Sequence, residues 1–317
     1  MLRCTVQSMQ ASADAEVGRC GGFSVPEALV ALILMLIVAS TVGTGLIRMT
    51  EAQGTIWNRT EMHSGVRSAT ELLQQEVGQA GLISLPAPVT MTTAVLAAGV
   101  QTVTLTSVAG MFVGEHLTFD TGATQETAPI TAINIGDKQV TASFVVTHAA
   151  NVPVSVLGGF ANGIVPTNIA NGSTASVLKL FGDINGDGNM VYVEYTCNTA
   201  DGNLYRNAMA LDATAKTPAT ASQVLLNNIL VNPGGTPCFT YQQHTVNGTT
   251  FVTDVAITLT VQTEKTDPVT KLFQNETKAL LNVSPRNVVN AWELASISVG
   301  ATPRVQPTPA SVTNLLQ

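Results

Sequence analysis

The sequence predicts an α+β protein, one long N-terminal helix followed by antiparallel β-sheet, and three observations carry that expectation. From Ala28 to Ile47 there is no charged residue, and about 20 apolar residues in a helix cross a bilayer core. Further on, Met62, Val66, Ala69, Leu73, Val77 and Ala80 recur at spacings of three and four, the period of a helix with one buried stripe. Beyond Pro86 and Pro88 the chain turns to short runs rich in Val, Thr and Ile, separated by Gly, Asn and Asp. Those are the marks of strands and tight turns.

Composition narrows the class. The chain has 317 residues, enough for one large domain or two modest ones. Only 11% are charged, and Ala, Thr, Val, Asn and Gly dominate. That is the composition of a β-rich exported surface protein. The formal net charge of −7 argues against bulk nucleic-acid binding.

The head of the helix is the most informative stretch. Polar residues Met1 to Gly22 come first, then Phe23-Ser24-Val25-Pro26-Glu27, then the apolar run. An ordinary secretory signal places its apolar core before the cleavage site, not after it. Glu27 stands at the mouth of the run, and an acid within a membrane costs about 2.5–3.5 kcal/mol at the centre and less at the edge. Such a residue is a functional candidate by default.

This order of parts resembles the class III signal of type IV prepilins and pseudopilins. The resemblance implies that residues 1–22 are a leader, cut between Gly22 and Phe23 by a prepilin peptidase that N-methylates Phe23. It also implies that Glu27, fifth in the mature chain, pairs with the terminal amine of a neighbouring subunit. Pro26 is a tolerated variant of that pattern. Elementary energetics agree, because a helix leaving lipid for a filament core gains little hydrophobic energy. An unpaired acid and an unpaired amine are each costly in low dielectric, and pairing relieves both.

Taken in order, the helix is expected over residues 23–81, with the transmembrane part at about 28–47. From Glu27 to Ala80 it would measure roughly 80 Å. Glu61, Arg67, Glu71 and Glu76 fall mostly off the buried stripe, and Gly81 is placed to cap the C-terminus. Gly43 and Gly45 are either a soft point or small residues for close helix packing. Residues 82–158 read as an inserted antiparallel module, with runs at Val103–Thr106, His116–Phe119, Ile130–Ile133 and Gln139–Ala142. Within it, the segment from Val108 to Val154 looks like a small β module of bacterial and phage surface proteins. His116 and His148 read as structural or surface residues.

Residues 159–295 are expected to form the C-terminal β domain, opened by a Gly- and Asn-rich connector to Thr174. Asp183, Asn185, Asp187, Asn189 (through its carbonyl) and Glu194 stand at positions one, three, five, seven and twelve of a calcium loop, with Gly188 at six. Ca2+ is therefore the cofactor candidate. An Asx- and Gly-rich hairpin turn explains the same residues without metal, and the strand-like Val191, Val193 and Tyr195 put Glu194 in doubt as a ligand. Cys4 and Cys20 fall in the leader. Cys197 and Cys238 remain as a pair, expected to form a disulfide closing a loop of about 40 residues and worth roughly 3–4 kcal/mol.

Leu204-Tyr205-Arg206 after a turn, Val224-Leu225-Leu226-Asn227-Asn228 before Phe239-Thr240-Tyr241, and Arg286-Asn287 resemble the C-terminal part of PilW-like minor pilins and J-type pseudopilins of type II secretion. Residues 296–317, with Pro303, Pro307 and Pro309, are expected to be a loose tail.

The resulting expectation is a pilin-like fold in a structural minor pilin rather than an enzyme. No Gly-rich phosphate loop, Cys-x-x-Cys pair or nucleophile elbow is present in the sequence. The implied partners are prepilin peptidase, other pilins, the inner-membrane assembly platform and membrane lipid. The implied location is the inner membrane with a periplasmic domain, and then the pilus. A minor pseudopilin of type II secretion, or a tip adhesin using the inserted module, is the alternative.

Overall fold

The structure is a computed structural model that describes residues 24–218, 220, 223–297 and 305–317. The expected leader and the Gly22–Phe23 cleavage point lie outside the described residues. The chain divides into two compact units, Met1–Gly54 and Thr55–Gln317. Helix α1 (Val25–Gln79) contributes to both. In the first unit it is apolar on every side, with Leu29, Val30, Leu32, Ile33, Leu36 and Ile37 all exposed. It is long and apolar enough to cross a membrane.

In the second unit α1 becomes amphipathic, as its periodicity requires. The stripe Met62, Val66, Ala69, Leu73, Val77 and Ala80 is buried throughout. Two antiparallel sheets share a core with it. One has the order β11-β10-β9-β8, built from β8 (Val177–Gly182), β9 (Val191–Asn198), β10 (Asn203–Ala210) and β11 (Val224–Asn227). The other centres on the long strand β14 (Thr249–Gln262), which pairs with β12 (Ile229–Leu230), β13 (Phe239–Val246) and β15 (Asn275–Val283). The β13–β14 hairpin turns on Asn247-Gly248, both at positive φ. Asn-Gly is the pair that a two-residue hairpin of matching twist demands.

The module after the helix is a closed barrel. Its strands are β1 (Val89–Met91), β2 (Gly99–Thr104), β3 (His116–Phe119), β4 (Glu126–Asn134), β5 (Gln139–Phe144) and β6 (Val152–Val156), in the order β1-β6-β3-β4-β5-β2. A bridge between Met91 and Leu105 brings the end of β2 back to β1. Backbone bonds from Thr92 to Thr104 and from Thr106 to Thr90 accompany it. Closure removes the open sheet edges that invite aggregation. Met91, Leu105, Leu117, Phe119, Val140 and Phe144 fill the interior as a core of their own.

The barrel enters and leaves at one point. Leu82 bridges Gly159, and the Phe160 amide donates to the Gly81 carbonyl at 2.9 Å. Gly81 has a φ of +82° just past the helix end, the left-handed cap its position predicts. A Cβ on Gly163 would lie 2.2 Å from the Gly81 Cα. Backbone meets backbone here, so only glycine fits.

One expectation needs correction. Residues 305–317 are not a loose tail: β16 (Val305–Gln306) runs parallel to β7 (Gly159–Phe160). Helix α3 (Ala310–Leu315) then buries Val312 and Leu315 against Phe160, Phe181 and Tyr192. The prolines signalled an irregular path, but Val312, Leu315 and Leu316 at helical spacing provide the burial that fixes it. The Arg286-Asn287 segment starts a further helix, α2 (Arg286–Ile297). The Asn287 side-chain amide caps α1 by donating to the Gln79 carbonyl at 3.0 Å.

The glycine junction gives a direct test. Gly163→Ala forces two backbone segments apart and is expected to cost about 1–3 kcal/mol, a fall in melting temperature of about 2–12 °C by circular dichroism for a unit of this size.

Candidate functional site

The sequence points first to the head of α1. Glu27 is exposed, and its Oε2 accepts hydrogen bonds from the Ser24 amide at 3.2 Å and the Ser24 hydroxyl at 3.1 Å. Glu27 thus makes the glutamate half of a capping box, reaching back from the third helical position to the amide of the cap residue. The Ser-x-x-Glu spacing carries that signal in the sequence, where the docking role overshadowed it. Among the described residues Glu27 meets no cation. Gly22 and Phe23 lie outside the described residues, so the structure does not place the amine.

The Asp183–Glu194 stretch is only partly assembled as a calcium loop. Asp183 is buried and organises the turn: its carboxylate accepts the Asp187 amide at 3.1 Å, the Gly188 amide at 3.0 Å and the Ser84 hydroxyl at 2.5 Å. Asp187 accepts the Asn189 amide at 2.9 Å, and Asn185 is exposed. Glu194 is elsewhere. The register places Gly182 opposite Val191 beside the loop but Lys179 opposite Glu194, about 10 Å further along the strand. There Glu194 pairs with Lys216 at 2.7 Å and Lys179 at 3.8 Å and accepts the Tyr192 hydroxyl at 3.1 Å. The twelfth-position ligand therefore does not fit, because a strand rather than a helix follows the loop. Among the described residues no three His, Cys, Asp or Glu side chains are grouped to hold a metal. The hydrogen bonds within the turn are those of the Asx- and Gly-rich alternative.

Cys197 and Cys238 form the expected disulfide, both buried at the edge of the main core. It ties β9 to the start of β13, two strands of different sheets.

Two polar clusters escaped sequence reasoning because their members are distant in the chain. Glu76, expected off the stripe, is buried on α1. Its carboxylate accepts the Tyr195 hydroxyl at 2.5 Å and the Arg206 guanidinium at 2.5–3.2 Å. Burial, then the Glu76 charge, raises the Tyr195 hydroxyl well above its ordinary pKa.

In the barrel, His148 has no exposed side-chain surface and lies 2.6 Å from Glu126 and 3.5 Å from Asp120. The Thr124 hydroxyl and Thr121 amide hold the Asp120 carboxyl below its usual range. The ring also packs edge-on to Phe144. His148 is thus a structural residue of the barrel, closed to any substrate. Glu115, just before β3, is a lone buried acid, its Oε2 accepting the Phe112 amide and its Oε1 unpartnered. Burial pushes its carboxyl up to about 8, against the smaller opposing effect of the Phe112 amide.

The sign of the pH effect follows. An acid with a raised folded-state pKa gives stability that is present below its unfolded value and lost as pH rises through the folded one. The protein is therefore expected to lose stability between about pH 4.5 and pH 8 through Glu115. Melting curves of Glu115→Gln against the unmodified chain check this. The difference in melting temperature should move in favour of the variant from pH 5 to pH 8, and a constant difference refutes the assignment.

Compared with known proteins, the chain matches no protein-family model and no curated protein.

Proposed function

We propose that the chain is a structural minor pilin, processed after Gly22 and built into, or priming, a type IV pilus. The observation that carries this reading is Glu27, an acid at the mouth of a 20-residue uncharged run, Ala28 to Ile47, five residues after Gly22. Its support in the fold is coarser: a long apolar N-terminal helix that runs on into a unit of antiparallel sheets. In this reading the processed Phe23 amine of one subunit meets Glu27 of the next, and the partners are prepilin peptidase, other pilins and the assembly platform of the inner membrane.

The first test is mass spectrometry of the membrane fraction. A mature N-terminus at methylated Phe23 is the expected result; an intact leader, or a cut near Ser40, ends the proposal.

The second test separates the two roles of Glu27. Glutamine serves in a capping box as glutamate does but carries no charge for an amine. If charge pairing drives docking, Glu27→Gln and Glu27→Ala both lose incorporation into filaments, by about tenfold or more for an ion pair worth at least about 1.4 kcal/mol. If capping is the whole role, Glu27→Gln assembles normally and only Glu27→Ala fails.

A further inference from the structure

The hairpin between β14 and β15 ends in a loop with an unusual division of labour. Its inner side is polar and closed on itself. Asp267 is buried and accepts the Val269 and Thr270 amides at 2.8 Å and the Gln274 side chain at 2.6 Å. The Asp267 amide donates to the Leu272 carbonyl, and the Thr263 amide to the Gln274 carbonyl. Its outer side is apolar and bare: Val269 is 63% exposed, Leu272 67% and Phe273 52%. Lys265 and Lys271 flank these residues and are also exposed.

The loop steps along α1 toward the start of the second unit. Glu276 lies beside His63, Gln274 takes a hydrogen bond from Arg59, and Asp267 is bonded to Thr55. The Asn58 side chain donates to the Lys265 and Thr266 carbonyls at 3.4 Å. At the same level of the helix Ile56 is 63% exposed and Trp57 74%. Five large apolar side chains therefore stand in water at the end where the chain enters this unit.

Chain length limits what can cover them. Thr55 follows the last residue of the uncharged run, Ile47, by eight positions. That is about 12 Å of helix and at most about 29 Å of fully extended chain. Whatever path residues 48–54 take, the loop is tethered close to the surface of any bilayer that the run spans. Its chemistry suits that surface: tryptophan and other aromatics favour the membrane interface, and lysines keep their charge among headgroups while their stems lie along apolar matter.

We propose that the loop Lys265–Gln274, with Ile56 and Trp57, is a second membrane contact that seats Val269, Leu272 and Phe273 in the lipid interface. The contact orients the second unit on the bilayer. It rests on the membrane-anchor part of the reading above and not on the pilus.

The test uses the full chain carrying Trp57→Phe and Trp292→Phe, reconstituted in vesicles of zwitterionic and anionic lipid brominated along the acyl chains. A single reporter is added as Leu272→Trp, as Leu36→Trp in the span, or as Leu96→Trp on an exposed turn of the barrel. Flotation with the vesicles reports the anchor by itself. The expected result is quenching and a blue shift for Leu272→Trp, as for Leu36→Trp, with no change for Leu96→Trp. A floating chain in which Leu272→Trp responds no more than Leu96→Trp overturns the proposal and leaves the anchor standing. A blue shift without quenching places the loop against another copy of the chain and also overturns it. A chain that does not float overturns the anchor and the contact together.

Discussion

The ion pair of Glu76 with Arg206, with the Tyr195 hydroxyl added, fixes how the helix lies on its sheet. The apolar stripe alone allows α1 to roll by a few tens of degrees or slide by a turn at modest cost, because hydrophobic contact is non-directional. A buried carboxylate has no such freedom. Removing one partner from a buried pair costs about 3–5 kcal/mol, since the remaining charge stays uncompensated. Glu76 takes hydrogen bonds from β9 through Tyr195 and from β10 through Arg206. One rotation and one height on the sheet satisfy it. The capping of Gln79 by Asn287 and the glycine junction at Gly81 then follow one turn later, where the helix must stop.

The same helix carries a second acid with the opposite circumstances. Glu76 is closed off by cationic and hydroxyl partners from its own chain. Among the described residues Glu27 meets only the amide and hydroxyl of Ser24, neither of which brings a positive charge to a carboxylate. In water an unpaired carboxylate is cheap. At the edge of a membrane or inside a filament it is not, and the assembly proposal supplies the stabilising cation from another molecule. The contrast between a satisfied acid and an unsatisfied one gives the assembly proposal its physical content.

Much of this was legible in local sequence. The stripe from Met62 to Ala80, the left-handed cap at Gly81, the barrel strands and the Cys197–Cys238 pair depend on period, turn chemistry and elimination, all of which a linear chain displays. What failed was long-range or two-valued. Glu194 matched a loop position in sequence, but β pairing carried it to Lys179 and Lys216 instead. His148 lies 28 residues from Asp120 and 22 from Glu126, so nothing in its neighbourhood announced two acids. Residues 305–317 differ from the expected loose tail because prolines weigh heavily in a local reading. Three apolar residues at helical spacing proved enough to dock it against Phe160 and Tyr192.

The barrel shows why an insertion of this size is tolerated directly after the helix that everything else packs on. Its two ends meet at Leu82 and Gly159, which bridge each other, so the surrounding fold experiences it as little more than a turn. Loop-closure cost grows only slowly with length, and here the barrel supplies its own compensation through a separate core. Closure of β1 onto the end of β2 leaves no edge to compete with the neighbouring sheets for pairing. The attachment is nevertheless specific. The Gln306 side chain takes the His116 amide at 2.9 Å and donates to the His116 carbonyl at 3.0 Å and the Leu157 carbonyl at 2.8 Å. Residues 305–317 thus act as a strap that holds the barrel to the rest of its unit. A self-closed module with adjacent ends and a strap can change its outer surface without disturbing the helix.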